Sequence, residues 1–84
     1  MNVQAEVSLY PLRQNDLTKP IQLFVQALES NKLNVEIGPM SSVISGEEST
    51  VFQGLQKAFG QVAQHYEVVL TAKISNACPR TEKK

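Results

Sequence analysis

The chain has 84 residues, one cysteine, and eight basic side chains balanced by eight acidic ones, so its formal net charge is zero. Neutrality removes the electrostatic reason to seek a nucleic-acid backbone or an anionic membrane. A lone cysteine closes no intramolecular disulfide, which fits a reducing compartment, and no apolar run approaches the roughly 20 residues of a membrane span. Met1-Asn2 leads straight into a strand pattern rather than a signal peptide. The expectation is a cytoplasmic protein with one domain over residues 1–77 and a polar tail over 78–84.

Val3, Ala5, Val7 and Leu9 alternate with Gln4, Glu6, Ser8 and Tyr10, as in a strand with one apolar face. Pro11 is expected to end or loosen it, and Arg13 to Asp16 reads as a polar loop. Thr18 then suits a helix N-cap, with Pro20 in the first turn, where a missing N–H costs nothing. Leu17, Ile21, Phe24, Val25 and Leu28 recur at helical spacing, and Ser30-Asn31 marks the stop.

Val35 and Ile37 alternate with Asn34 and Glu36 in a second strand. Gly38-Pro39 breaks it, and alternation resumes from Met40 to Ser45, so the pair reads as a hairpin. A second helix is expected after Gly46, with Glu47 and Glu48 in a first turn that favours negative charge. Val51, Leu55, Ala58, Phe59 and Val62 form its apolar stripe, flanked by Phe52 and Ala63. The last strand runs from about Glu67 to Ser75, with Val68, Leu70, Ala72 and Ile74 on one face and Val69, Thr71 and Lys73 on the other.

The order β-α-β-β-α-β predicts an α+β, ferredoxin-like fold: a four-stranded antiparallel sheet with two helices on one face. The opposite face then collects Glu6, Ser8, Tyr10, Glu36, Thr71 and Lys73. A surface mixing charges, hydroxyls and an aromatic ring is expected to cover itself with a second copy of the chain.

Catalytic constellations are poor. His65 is the only histidine, at the end of the second helix, where a cation suits the helix C-terminus. One histidine and one cysteine cannot build a transition-metal site. Cys78 lies in the tail beside Pro79 with no orienting base, and Asp16 is the sole aspartate. Glu6 and Glu36 could act as paired carboxylates, but they equally suit an ion pair with Lys73. RNA binding on this topology wants aromatic residues on the central strands, and the stretch from Met40 to Ser45 has none. No enzyme, metal or cofactor is expected.

The hairpin carries an unusual density of hydroxyls in Ser41, Ser42, Ser45 and Thr50, beside Met40 and Phe52. These atoms serve either as a polar strand edge or as a small-ligand rim. A glutamate can accept from an amino group, a serine can donate to a ring nitrogen, and a thioether or aromatic side chain can cover a flat ring.

Glu36-Ile37-Gly38-Pro39-Met40-Ser41-Ser42, followed by Ser45-Gly46-Glu47, resembles the signature of the small YkoF-like thiamine-binding family. Val7-Ser8-Leu9-Tyr10-Pro11-Leu12 is similar to that family's first strand, and the likeness covers roughly Val3 to Ile74. The resemblance implies a protein that binds thiamine or its hydroxymethylpyrimidine moiety without transforming it. It also implies association through sheet faces into dimers or tetramers. The site residues it implies are Tyr10, Glu36, Met40, Ser41, Ser42 and Glu47, and a pocket walled by Glu36, Ser42 and Phe52, rather than a dry, filled sheet contact, is expected to mark a ligand binder. The alternative is an oligomeric scaffold domain that uses the same open face with no small ligand.

Overall fold

The structure, a computed structural model, describes residues 1–77; the expected tail, with Cys78, lies outside them. The elements are β1 (Asn2–Leu12), α1 (Thr18–Ser30), β2 (Asn34–Ile37), β3 (Ser42–Glu47), α2 (Glu48–Ala63) and β4 (Glu67–Ser75). They follow the expected order. The four strands form one antiparallel sheet ordered β2-β3-β1-β4, so β1 and β3 are central and β2 and β4 are the edges.

Alternation places the faces as expected. Val3, Ala5 and Val7 of β1 and Ile44 of β3 are buried beneath the helices, against Phe24, Ala27 and Leu28 of α1 and Val51, Leu55, Ala58 and Val62 of α2. Glu6, Ser8, Tyr10, Glu36, Thr71 and Lys73 occupy the other face, as their register partners require.

Several boundaries differ from expectation, each for a local reason. β1 does not stop at Pro11, which pairs with Val68 of β4. There β3 no longer flanks β1, since their pairing runs only from Asn2 to Val7. A residue without an N–H is therefore tolerated at a half-paired position. Thr18 is not the cap of α1 either. Leu17 already has helical dihedrals, and the Thr18 N–H donates to Asp16 Oδ1 at 2.9 Å, so Asp16 does the work of an N-cap.

The end of α1 is the predicted Ser30-Asn31, closed by a Schellman arrangement. The Leu33 N–H donates to the Leu28 carbonyl and the Lys32 N–H to that of Glu29, with Lys32 at φ 66° in the place glycine usually takes. Leu33 is thereby turned into the core, where an added Cβ on Gly54 would lie 2.5 Å from its Cδ1. A glycine inside a helix costs it stability, but Gly54 makes room for this anchor.

The apolar stripes are narrower than their spacing suggested. Leu17 just ahead of α1, Ile21 on α1, and Phe52 and Phe59 on α2 are exposed. So are Ala72 and Ile74 on the helix-side face of β4. An edge strand lies at the margin of what two helices can cover.

Candidate functional site

The site follows from unequal strand lengths. β4 accompanies β1 from Gln4 to Leu12, but β3 accompanies it only from Asn2 to Val7. Beyond Val7 no strand of the described residues flanks that side of β1. The loop between β2 and β3 and the flank of α1 close over that gap and leave a cavity of about 510 Å³.

The loop is shaped by its residues. The Gly38 N–H donates to the Ser41 carbonyl at 2.8 Å, and a Cβ at position 38 would sit 2.8 Å from that same oxygen. Only glycine permits so close an approach, and Pro39 follows with its φ already restricted. The Ser8 hydroxyl donates to the Met40 carbonyl at 3.4 Å, fastening the loop to β1. Met40 and Ser41 thus belong to the turn, and β3 begins at Ser42 rather than at Met40.

Met40, Ser41 and Ser42 all line the cavity. Ser41 is committed within the protein, donating to Glu6 Oε2 at 3.0 Å, whereas the Ser42 side chain has no protein hydrogen bond among the described residues. Met40 is 87% exposed and Ile37 71% exposed. A single exposed apolar side chain is ordinary, but two at the mouth of one cavity form a surface that a ligand would cover.

The other predicted residues fall elsewhere. Tyr10 and Glu36 lie on the open sheet face, opposite Val69 and Val43 in register. Glu47 sits at the far end of β3, paired with Asn2, where its carboxylate accepts from the Met1 ammonium. That hydrogen bond raises the pKa of the ammonium and lowers that of Glu47. The expected wall of Glu36, Ser42 and Phe52 is therefore not assembled, and only Ser42 reaches the cavity. Glu36 is turned away by strand alternation, and Phe52 projects from α2, while the cavity belongs to α1.

Sequence reasoning missed the contribution of α1. Ile21 and Val25 supply the apolar wall, with Gln22, Gln26 and Glu29 beside them. The signal was present, because Gln22, Gln26 and Glu29 recur at i, i+4 and i+7 along the edge of the apolar stripe. Glu29 is the one charged side chain lining the cavity, and no lysine or arginine joins it among the described residues. No group of three or more histidine, cysteine, aspartate or glutamate side chains is placed to hold a metal there. No helix among these residues is long and apolar enough to cross a membrane.

The model of the YkoF-related family matches residues 2–81. The chain belongs to that family. The Gly38-Pro39-Met40-Ser41-Ser42 stretch that suggested the YkoF-like resemblance is the one that shapes the cavity mouth.

Among solved structures, a hypothetical protein from Methanocaldococcus jannascii is 26% identical, with a TM-score of 0.80 over 99% of this chain and 84% of its own. A candidate thiamine biosynthesis/salvage protein from Thermotoga maritima is 18% identical, with a TM-score of 0.79 over 88% of this chain and 82% of its own. A designed protein with a ferredoxin fold superposes over 100% of this chain and 96% of its own, with a TM-score of 0.70 at 8% identity. At those last two identities the likeness is one of fold. No curated protein matches the chain.

Proposed function

We propose that this protein binds thiamine or its hydroxymethylpyrimidine moiety, without transforming it, in the cavity between α1 and the Gly38–Ser41 turn. The observation that carries this reading is the cavity itself, about 510 Å³ in volume and built on the hairpin that bears the family signature. That volume lies within the range usual for small-ligand sites, roughly 300–1,000 Å³. The fold shared with the Thermotoga maritima thiamine biosynthesis/salvage candidate supports the same ligand class.

The lining suits such a ligand. Leu9, Ile21, Val25 and Met40 can hold the faces of a flat ring. The Ser42 hydroxyl and the Gln22 and Gln26 amides offer donors and acceptors to an aminopyrimidine edge. Glu29 supplies the charge that favours a cationic thiazolium. With no basic side chain in the lining among the described residues, a phosphate ester gains no counter-charge there, so the free vitamin is preferred over its phosphates.

Calorimetric titration tests the proposal. Saturable binding of thiamine or hydroxymethylpyrimidine, with thiamine pyrophosphate weaker, is the expected result. Absence of saturable binding to all three overturns it.

A further inference from the structure

The turn that shapes the cavity mouth has little to rest on. Gly38, Pro39 and Met40 are all exposed, so no apolar packing holds them to the core. Inside the turn, one hydrogen bond runs from the Gly38 N–H to the Ser41 carbonyl. A segment with few buried contacts opens at low free energy unless side chains fasten it. Among the described residues two side chains do so, and both come from β1. The Ser8 hydroxyl donates to the Met40 carbonyl, and the Glu6 carboxylate accepts from the Ser41 hydroxyl.

Glu6 is the less expected of the two, because it does not line the cavity. It stands on the open sheet face, opposite Val43 of β3 and Lys73 of β4. Ser41 lies two residues before Val43, so alternation turns its hydroxyl to the same face, at a diagonal that a long side chain spans. Glu6 Oε2 accepts from it at 3.0 Å. Among the described residues no ion pair joins Glu6 to Lys73, although the two are register partners, so the carboxylate is committed to the turn. Holding Ser41 on the open face points the next residue, Ser42, the opposite way and into the cavity.

We propose that Glu6 is a positioning residue for the cavity: it holds Ser41 on the open sheet face, so that Met40 stays at the mouth and the Ser42 hydroxyl faces the ligand. This role rests on the ligand-binding reading of the cavity and adds a residue outside its lining. It is geometric. Without the bond the turn samples positions in which Met40 and Ser42 no longer meet one ligand, and affinity falls with the population of the competent position. An action of the Glu6 charge at a distance predicts something else. It would attract cationic thiamine and leave neutral hydroxymethylpyrimidine alone.

Amide exchange and calorimetry on the full chain test this role. In ligand-free protein, the Gly38 amide is expected to exchange several-fold faster in Glu6→Ala than in the parent, and at the parent's rate in Lys73→Ala. In titrations, Glu6→Ala is expected to weaken thiamine and hydroxymethylpyrimidine equally, by about fivefold. Glu6→Gln, whose amide oxygen still accepts, is expected to restore most of that loss. Ser41→Ala and the Glu6→Ala/Ser41→Ala double variant should match Glu6→Ala rather than compound it. None of these positions is buried, so thermal midpoints are expected to stay near the parent's. An unchanged Gly38 exchange rate in Glu6→Ala, or an equal acceleration in Lys73→Ala, overturns the proposal whether or not a ligand binds. So does a loss confined to thiamine, or losses that multiply in the double variant. A parent that binds neither ligand refutes the reading of the cavity, and the exchange rates then decide the hold on the turn by themselves.

Discussion

β2 and β4 are both outer strands of one sheet, yet β2 has four residues and gives way to Gly38-Pro39, whereas β4 runs nine residues in unbroken pairing with β1. The short edge leaves β1 half-flanked beyond Val7 and so opens a cavity between α1 and the loop. The long edge accompanies β1 to its end at Leu12. One edge opens a cavity, and the other keeps β1 paired from Gln4 to Leu12.

That difference implies separable effects on core and cavity, and the largest is expected in the core. Ile44 is fully buried in β3, within the core beneath the helix layer. Ile44→Ala should cost about 2–5 kcal/mol, read by denaturant unfolding, and should impair ligand binding as well.

A bulky residue at the cavity should separate binding from stability. Ile21 is 40% exposed and lines the cavity, so a larger ring there fills space without disturbing the core. Ile21→Trp should weaken thiamine binding more than about tenfold, by loss of ring-sized room. Its thermal midpoint should stay that of the parent. A lowered midpoint with intact binding would contradict the assignment of Ile21 to the cavity.

Within the cavity edge, charge and shape can be told apart. Glu29→Gln should weaken thiamine a few-fold, a modest effect because the carboxylate is solvent-exposed, and should leave the uncharged hydroxymethylpyrimidine unaffected. Equal weakening of both would mean that Glu29 acts through shape or hydrogen bonding.

The smallest effect concerns the end of the sheet away from the cavity. The Met1 ammonium has a raised pKa and Glu47 a lowered one, through their shared hydrogen bond. A group lowered on folding stabilises above its unfolded pKa and loses that contribution as pH falls through the folded value. A raised group stabilises below its unfolded pKa and loses the contribution as pH rises through the folded one. The contact should therefore act between the ordinary values of 4.5 and 8.0 and fade on either side. Comparing thermal midpoints of parent and Glu47→Gln from below that range to above it should give a small gap within the range that closes beyond both ends, with ligand affinity unchanged.

Much of the fold was legible from residue order because strand alternation is strict. One buried position in β1 fixes the face of all the others, so Glu6, Ser8, Tyr10, Glu36, Thr71 and Lys73 could be placed together. Helix stripes are less exacting. Ile21 and Val25 have the spacing of core residues, but whether such a flank meets a neighbour, a cavity or water depends on what lies beside it. Gln22, Gln26 and Glu29 have the polarity of a solvated face for the same reason. The hairpin half of the site could be read in Gly38-Pro39-Met40-Ser41-Ser42, because a glycine forced by close approach and a following proline leave a local mark. Glu47, two residues from Ser45 in the same motif, belongs to the other end of the strand.

The amino-acid pattern by itself determined the element order, the two faces of the sheet, the family and the turn that carries Met40 to Ser42, since all of these arise from neighbours a few residues apart. Only the tertiary structure decided that β3 abandons β1 after Val7, that α1 supplies the far wall of the cavity, and that Glu47 meets Met1. Those outcomes depend on relative strand lengths and on contacts across dozens of residues, which no local periodicity encodes.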